Sequence, residues 1–487
     1  MTRAFVGRSG EIDRLTQHLN WVSRGGADQR GRCVLLRGRR RVGKSRLVEV
    51  FVDRTRRDGA VDLFWFTATE GEPPERERAQ FAAELSSSML PGASESGTDP
   101  APTWHVALRR LAEAIDDDRP TVVVIDELPW LAAQDRALEG ALQTVWDRYL
   151  SRKPVLLILI GSDLAMMEML GAYGRPFHQR GVEMVLDALN PAEVAHMTGL
   201  EPADAFDAYL ITGGLPLVCQ EWPTGRKWPV YLAQALADPT SALIVSGERI
   251  LRAEFPSETR AAETLHAIGS GERTFTTIAR RVGAPTPLNA STLQGALKTL
   301  LDKRVIAVDE PLSSRPAPKE RRYRVADPFL RFWLAFVRTA LPEVERGRGD
   351  LALRTVEHSW PSWRGKAIEP VVRTALHRLL PDDRFPSANV VGGWWNRINN
   401  PEVDLVATES TKDGASVVFV GSIKWRERST FDTADLAALA RDASLVPGAT
   451  ASTPLVAVSR SGASVQDLAV VWTPSDLLDA WRTTTPP

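Results

Sequence analysis

Residues 38–45 read GRRRVGKS, and the run that leads into them, RCVLLRG at 32–38, is apolar and β-rich. The stretch fits Gly-x-x-x-x-Gly-Lys-Ser/Thr at every fixed position. Gly38 and Gly43 let the backbone curl, so that successive N–H groups point inward at a phosphate. Lys44 adds a point charge for the β and γ oxygens, and Ser45 offers a hydroxyl to Mg²⁺. The following SRLVEVFVDRTRR resumes helical spacing, and its unpaired N–H groups and positive dipole end face the same anion. The expected nucleotide contacts are therefore Gly38, Arg39, Arg40, Arg41, Val42, Gly43, Lys44, Ser45 and Arg46. The expected ligands are ATP and Mg²⁺.

A second motif, VVVIDE at 122–127, supplies the acids. A buried strand ending in Asp126 brings a carboxylate to the magnesium shell beside Ser45. Glu127 follows directly, where a carboxylate can polarise the attacking water. An Asp-Glu pair favours hydrolysis over binding alone. The apolar runs at 32–38, 61–69, 121–126 and 154–162 are continuous rather than alternating. Continuous runs separated by helical spacing predict a parallel sheet covered by helices on both faces.

The whole chain has 487 residues, too long for one core, and its 43% hydrophobic and 25% charged content is that of a globular protein. Lys and Arg number 60 against 61 acids, so any nucleic-acid surface must be local. Cys33 and Cys219 sit inside apolar runs and read as buried hydrophobes in a reducing compartment. The seven histidines show no ligand spacing, and no zinc site is expected. The N-terminal stretch lacks a signal-peptide core and no run is long enough to cross a membrane, which predicts a cytoplasmic protein without a membrane partner.

FVGRSGEIDRL, GRRRVGKSR, VVVIDELPWL, LLILIGSDLAMME and ITGGLPL, in that order, resemble the archaeal-type ATPase family of the AAA+/STAND P-loop group. The resemblance covers about residues 4–220. It implies that the box Phe5–Arg8 lies beside the adenine, with Val6 and Gly7 as base contacts, and that Ser162 is the polar sensor of the γ-phosphate. It also implies an arginine finger, Arg180, with Arg175 as a competing candidate; a finger acting across a subunit boundary would require a homo-oligomer. Gly213–Pro216 resembles the lid motif of the group.

Four domains are expected: a P-loop ATPase at 1–190, a helical lid at 191–255, a winged helix at 256–345 and an α/β domain at 346–487. The winged helix rests on three helices followed by a basic hairpin. Its recognition helix would run from Ser291 to Asp302, capped by Asn289 or Ser291. Arg315, Lys319, Arg321, Arg322 and Arg324 outnumber Glu320 in the hairpin, which suits DNA phosphates or an ordinary solvated loop. The last domain resembles the restriction-endonuclease fold that accompanies these ATPases. That resemblance places Glu369, Asp404 and Lys424 at a PD-(D/E)-x-K site. Ser422 stands where a carboxylate is required, with Glu402 as a partial substitute, so a weakened or inactive nuclease is expected. Trp394, Trp395 and Trp425 read as core rather than as base-stacking platforms. The leading expectation is an ATPase acting on DNA. The alternatives are a STAND-type nucleotide switch that signals through protein contacts and a winged-helix transcriptional regulator.

Overall fold

A computed structural model describes residues 5–24, 31–57, 61–95, 97–162, 164–175, 177–255, 259–312, 320–396, 400–410 and 416–482. The chain divides into two compact units, Met1–Ala188 and Leu189–Pro487.

The first unit holds five parallel strands: β1 (Arg32–Arg37), β2 (Asp62–Thr67), β3 (Thr121–Asp126), β4 (Val155–Gly161) and β5 (Val182–Val185), in the order β2-β3-β4-β1-β5. Every residue of β3 and β4 is buried. The continuous apolar runs have a simple cause, because alternate residues serve two cores. Val34, Leu36, Val122, Val124, Ile158 and Ile160 pack under the helices Ser9–Arg24 and Lys44–Arg57. Leu35, Val123, Ile125, Leu157 and Leu159 point to the opposite face, against helices Pro74–Ser87, Trp104–Ala114 and Ala137–Arg148. The edge strand β5 buries only Met184. Since β4 is hydrogen-bonded to both β1 and β3, the loops leaving these three strands emerge side by side at one edge of the sheet. Open α/β sheets bind ligands at that carboxyl edge.

The second unit begins with helices between Pro191 and Glu254. The helices Arg260–Gly269, Phe275–Val282 and Ala290–Asp302 follow, and then a hairpin of β6 (Ile306–Asp309) and β7 (Arg322–Val325). Asn289 caps the third of these helices by accepting from Thr292 N at 2.9 Å. A helix of 31 residues, Gly349–Leu379, leads to a mixed sheet. Its strands are β8 (Val390–Trp395), β9 (Glu402–Thr408), β10 (Val417–Lys424), β11 (Leu455–Ser459) and β12 (Val470–Trp472), in sequential order. The first three are antiparallel and the last three parallel. One contiguous hydrophobic cluster runs from Leu189 to Ala480, so the helical, hairpin and mixed-sheet regions share a core.

Pro370 interrupts the long helix internally and lacks the N–H that would bond Lys366 O. Arg331 repairs the ladder by donating to Lys366 O at 3.1 Å and Ala367 O at 3.3 Å. Burial draws the Arg331 guanidinium down to about 10. No helix among the described residues is long and apolar enough to cross a membrane.

Candidate active site

The loop between β1 and the helix Lys44–Arg57 carries two left-handed residues, Arg41 (φ 70°) and Gly43 (φ 91°). Gly38 is needed for a different reason. A Cβ there would lie 2.3 Å from Leu186 O and 3.2 Å from a Val42 methyl, so only glycine lets the loop pass the chain beyond β5. Lys44 is 7% exposed and donates to Gly38 O at 2.9 Å and Arg39 O at 3.0 Å, bridging the start of the loop. Burial lowers the ammonium from its ordinary value to about 8. Glu127 and Asp126 pull the other way, and Arg40 adds to the lowering. Arg40 lies over the Trp130 ring at 5.9 Å, linking the loop to the helix Leu128–Gln134.

The acids stand beside this cation. Ser45 Oγ donates to Asp126 Oδ2 at 2.6 Å, while Asp126 Oδ1 accepts from Glu127 N at 2.9 Å. Glu127 adopts a left-handed conformation (φ 53°, ψ 40°), which costs a residue with a Cβ about 1–3 kcal/mol and is concentrated at functional sites. Its carboxylate accepts from Ser162 Oγ at 2.9 Å. The ends of β1, β3 and β4 thus bring Ser45, Asp126, Glu127 and Ser162 into one chain of contacts, with Lys44 next in sequence to Ser45.

Residues 4–158 match a family model described as "AAA ATPase domain". The first unit is built on an AAA ATPase domain. Residues 333–436 match a second family, described as "Archaea bacterial proteins of unknown function". A relative in Methanocaldococcus jannaschii, "Uncharacterized protein MJECL04", is 23% identical over 431 residues, spanning 87% of this chain and 88% of its own length. Among solved structures, the Walker-type ATPase paby2304 of Pyrococcus abyssi is similar at TM-score 0.45 and 18% identity, covering 68% of this chain and 97% of that one. The ORC2 protein of Aeropyrum pernix, in its ADPNP–ADP complexes, is similar at TM-score 0.44 and 14% identity, covering 71% and 97%.

Elsewhere in the AAA domain, Val6 and Gly7 are half-buried in the entry segment, where Gly7 has φ 73°. Arg8 fixes this segment: its guanidinium donates to Asp187 O at 2.5 Å and Val42 O at 3.4 Å and pairs with Glu11 at 3.5 Å. Arg180 makes a two-pronged pair with Asp147, 2.8 Å on each side, and Arg175 pairs with Glu139 at 2.5 Å. Both acids belong to the helix Ala137–Arg148. Asp147 lies 33 residues from Arg180 in sequence, and nothing in either local pattern signals the pairing.

In the second unit the hairpin arginines are largely engaged. Arg321 pairs with Glu310 at 2.7 Å and Arg324 with Asp309 at 3.1 Å. Arg322 is buried, pairs with Glu402 at 2.5 Å and stacks 4.0 Å over Trp395, so it is a packing residue and not a phosphate ligand. Arg315 and Lys319 lie outside the described residues. Trp394, Trp395 and Trp425 are all buried. Glu369 is buried, and burial pushes its carboxyl up against the opposing charge of Arg373, with Asp404 adding to the rise. Asp404 Oδ2 accepts from Ser422 Oγ at 3.0 Å and Ile423 N at 2.8 Å, while Lys424 Nζ lies 3.5 Å from Asp435.

Proposed function

We propose that the AAA domain binds ATP with Mg²⁺ and hydrolyses it to ADP and phosphate. The observation that carries this reading is the chain of contacts Ser45–Asp126–Glu127–Ser162 beside a buried Lys44. Lys44 is held by carbonyl dipoles and drawn below its ordinary pKa, so its site favours an anion, which the β and γ phosphates supply. The donor set suits Mg²⁺: a hydroxyl and a carboxylate oxygen, both hard ligands. Among the described residues no three His, Cys, Asp or Glu side chains converge, so such an ion would complete its shell with water and phosphate oxygens. When bound, Mg²⁺ neutralises charge on the phosphate oxygens.

The residues of the chain do the rest. Backbone N–H groups of 39–45 cradle the phosphates, and Lys44 binds the oxygen on which negative charge grows. Glu127 orients a water and takes its proton as the water oxygen bonds to the γ phosphorus and the bond from that phosphorus to the bridging oxygen breaks. Ser162 holds the Glu127 carboxylate and reports the γ-phosphate position. Val6 and Gly7 form one side of the base site, and Arg180 is the candidate finger.

A second reading, a nucleotide switch of slow turnover, draws on one observation. Arg180 is tied to Asp147 through Nε and Nη2 and to His178 O through Nη1, and a finger so held must be released before it can act. For the second unit we propose DNA as the load. It would be met by exposed Arg280 and Arg281 of the helix Phe275–Val282 rather than by the paired hairpin arginines. The test is ATP turnover with and without duplex DNA, in the native chain and in Lys44→Ala. Stimulated turnover that vanishes in the variant supports the ATPase. Stoichiometric retained ADP with negligible turnover under both conditions supports the switch. Absence of ATP binding refutes both.

A further inference from the structure

The mixed sheet of the second unit carries the residue types of a metal-dependent nuclease, yet an arginine already stands among them. Arg373 stands one turn beyond Glu369 on the long helix. Its Nη2 donates to Glu369 Oε2 at 3.4 Å, and Nε and Nη2 donate to the main-chain oxygen of Asp404 at 3.1 and 2.9 Å. The guanidinium therefore ties the Glu369 carboxylate on the helix to the main chain of Asp404 on the strand.

The surrounding backbone is shaped to admit it. Pairing of β8 with β9 shifts register between Gly392 and Trp394, leaving Gly393 at the irregularity. A Cβ on Gly393 would lie 2.6 Å from Arg373 Nη2. The neighbouring acids have partners too: Asp404 Oδ2 accepts from Ser422 Oγ and Ile423 N, and Glu402 pairs with Arg322 at 2.5 Å and Lys366 at 3.9 Å. Lys424, the residue expected to orient a water, is turned toward Asp435. No cluster of three ligating side chains exists among the described residues. Hard cations of the Mg²⁺ type need free carboxylate oxygens and tolerate no guanidinium in their shell.

We infer that the guanidinium of Arg373, admitted by Gly393 and held by the Glu369 carboxylate and the Asp404 main chain, supplies the positive charge that a divalent cation would bring, so that this region binds no metal. The serine at 422 belongs to the same arrangement: it satisfies the Asp404 carboxylate with a hydrogen bond and adds no charge for an ion to balance. The region then serves as a folded surface rather than as a metal-dependent nuclease. This inference is independent of ATP hydrolysis in the AAA domain.

The test counts Mn²⁺ sites by electron paramagnetic resonance in the nucleotide-free full chain. Ser45→Ala and Asp126→Asn are introduced to remove the phosphate-side ligands. No saturable site is expected while Arg373 is present. A stoichiometric Mn²⁺ site in that chain, lost on Asp404→Asn, overturns the inference without any change at Arg373. Adding Arg373→Ala with Ser422→Asp is expected to create one Mn²⁺ site. If that variant keeps its native circular dichroism and gains no site, the replacement of cation by guanidinium is refuted. Should it not fold, the count in the Arg373-containing chain still decides the matter.

Discussion

The protonation of Lys44 makes ATP binding depend on pH in a way that can be worked out. Burial holds the Lys44 ammonium at about 8, below its ordinary value of 10.5. A folded value depressed by about 2.5 units corresponds to a cost on the order of 3 kcal/mol for keeping the buried group charged. The sign follows from linkage. This group's contribution to stability is present above its unfolded value and is lost as pH falls through about 8, so the free domain is strained by its own cation at neutral pH. Phosphate oxygens relieve that strain and return the pKa to its ordinary range. Binding ATP should then take up about 0.1 proton at pH 7, about 0.5 at pH 8 and about 0.9 at pH 9. Above about pH 8 the apparent affinity should fall by roughly tenfold per unit. Calorimetric titration of MgATP in buffers of different ionisation enthalpy measures the uptake directly, and Lys44→Ala serves as the control in which uptake disappears. Uptake near zero at pH 8, with a dissociation constant flat from pH 7 to 9, would refute the reasoning.

Replacing Glu127 by Gln keeps the side chain's size and removes its basicity; turnover should drop by about 10²–10⁴-fold while ATP affinity changes little, as read by single-turnover kinetics and equilibrium binding. Gly38→Ala places a Cβ 2.3 Å from Leu186 O and should destabilise the AAA domain or displace its phosphate loop, seen as a lower melting temperature together with lost ATP binding. A variant with native melting and native affinity would show that the loop yields there. Asp207 is pushed up to about 6 by burial, against the pull of Arg364 and Arg460. Its contribution is complete below the unfolded value near 3.8 and is lost as pH rises through about 6. In urea melts, Asp207→Asn should therefore gain about 2 kcal/mol on the native chain between pH 4 and pH 7, and parallel pH profiles would contradict this. Asp147→Ala removes the ion pair to Arg180 and should raise turnover if that pair restrains a finger, whereas Arg180→Ala should lower it. Equal rates in both variants would leave Arg180 with a structural role.

Much of the AAA domain was legible because its signals are local. GRRRVGKS needs only a strand before it and a helix after it to form a phosphate cradle, and VVVIDE needs only a buried strand to deliver its acids. Continuous apolar runs report a sheet covered on both faces, since burial on both sides removes the alternation that a half-exposed strand shows. The alternation of Trp394, Trp395 and Trp425 with strand and turn signals likewise marked them as core, and the structure buries all three. What the sequence could not carry were contacts between residues far apart in the chain. Its reading of Gly38 as a curling residue missed the carbonyl of Leu186, which lies against it only because β5 pairs with β1. The hairpin looked like a basic surface because its arginines were set against Glu320 alone, whereas Asp309 at the end of the facing strand and Glu310 just beyond it pair with Arg324 and Arg321, and Glu402, 80 residues away, pairs with Arg322. From the sequence alone, Ser422 stood where the resemblance to a nuclease required a carboxylate. Only the fold brought Arg373 and Gly393 together there, because whether a charge is free or spent depends on which distant partner the packing places beside it.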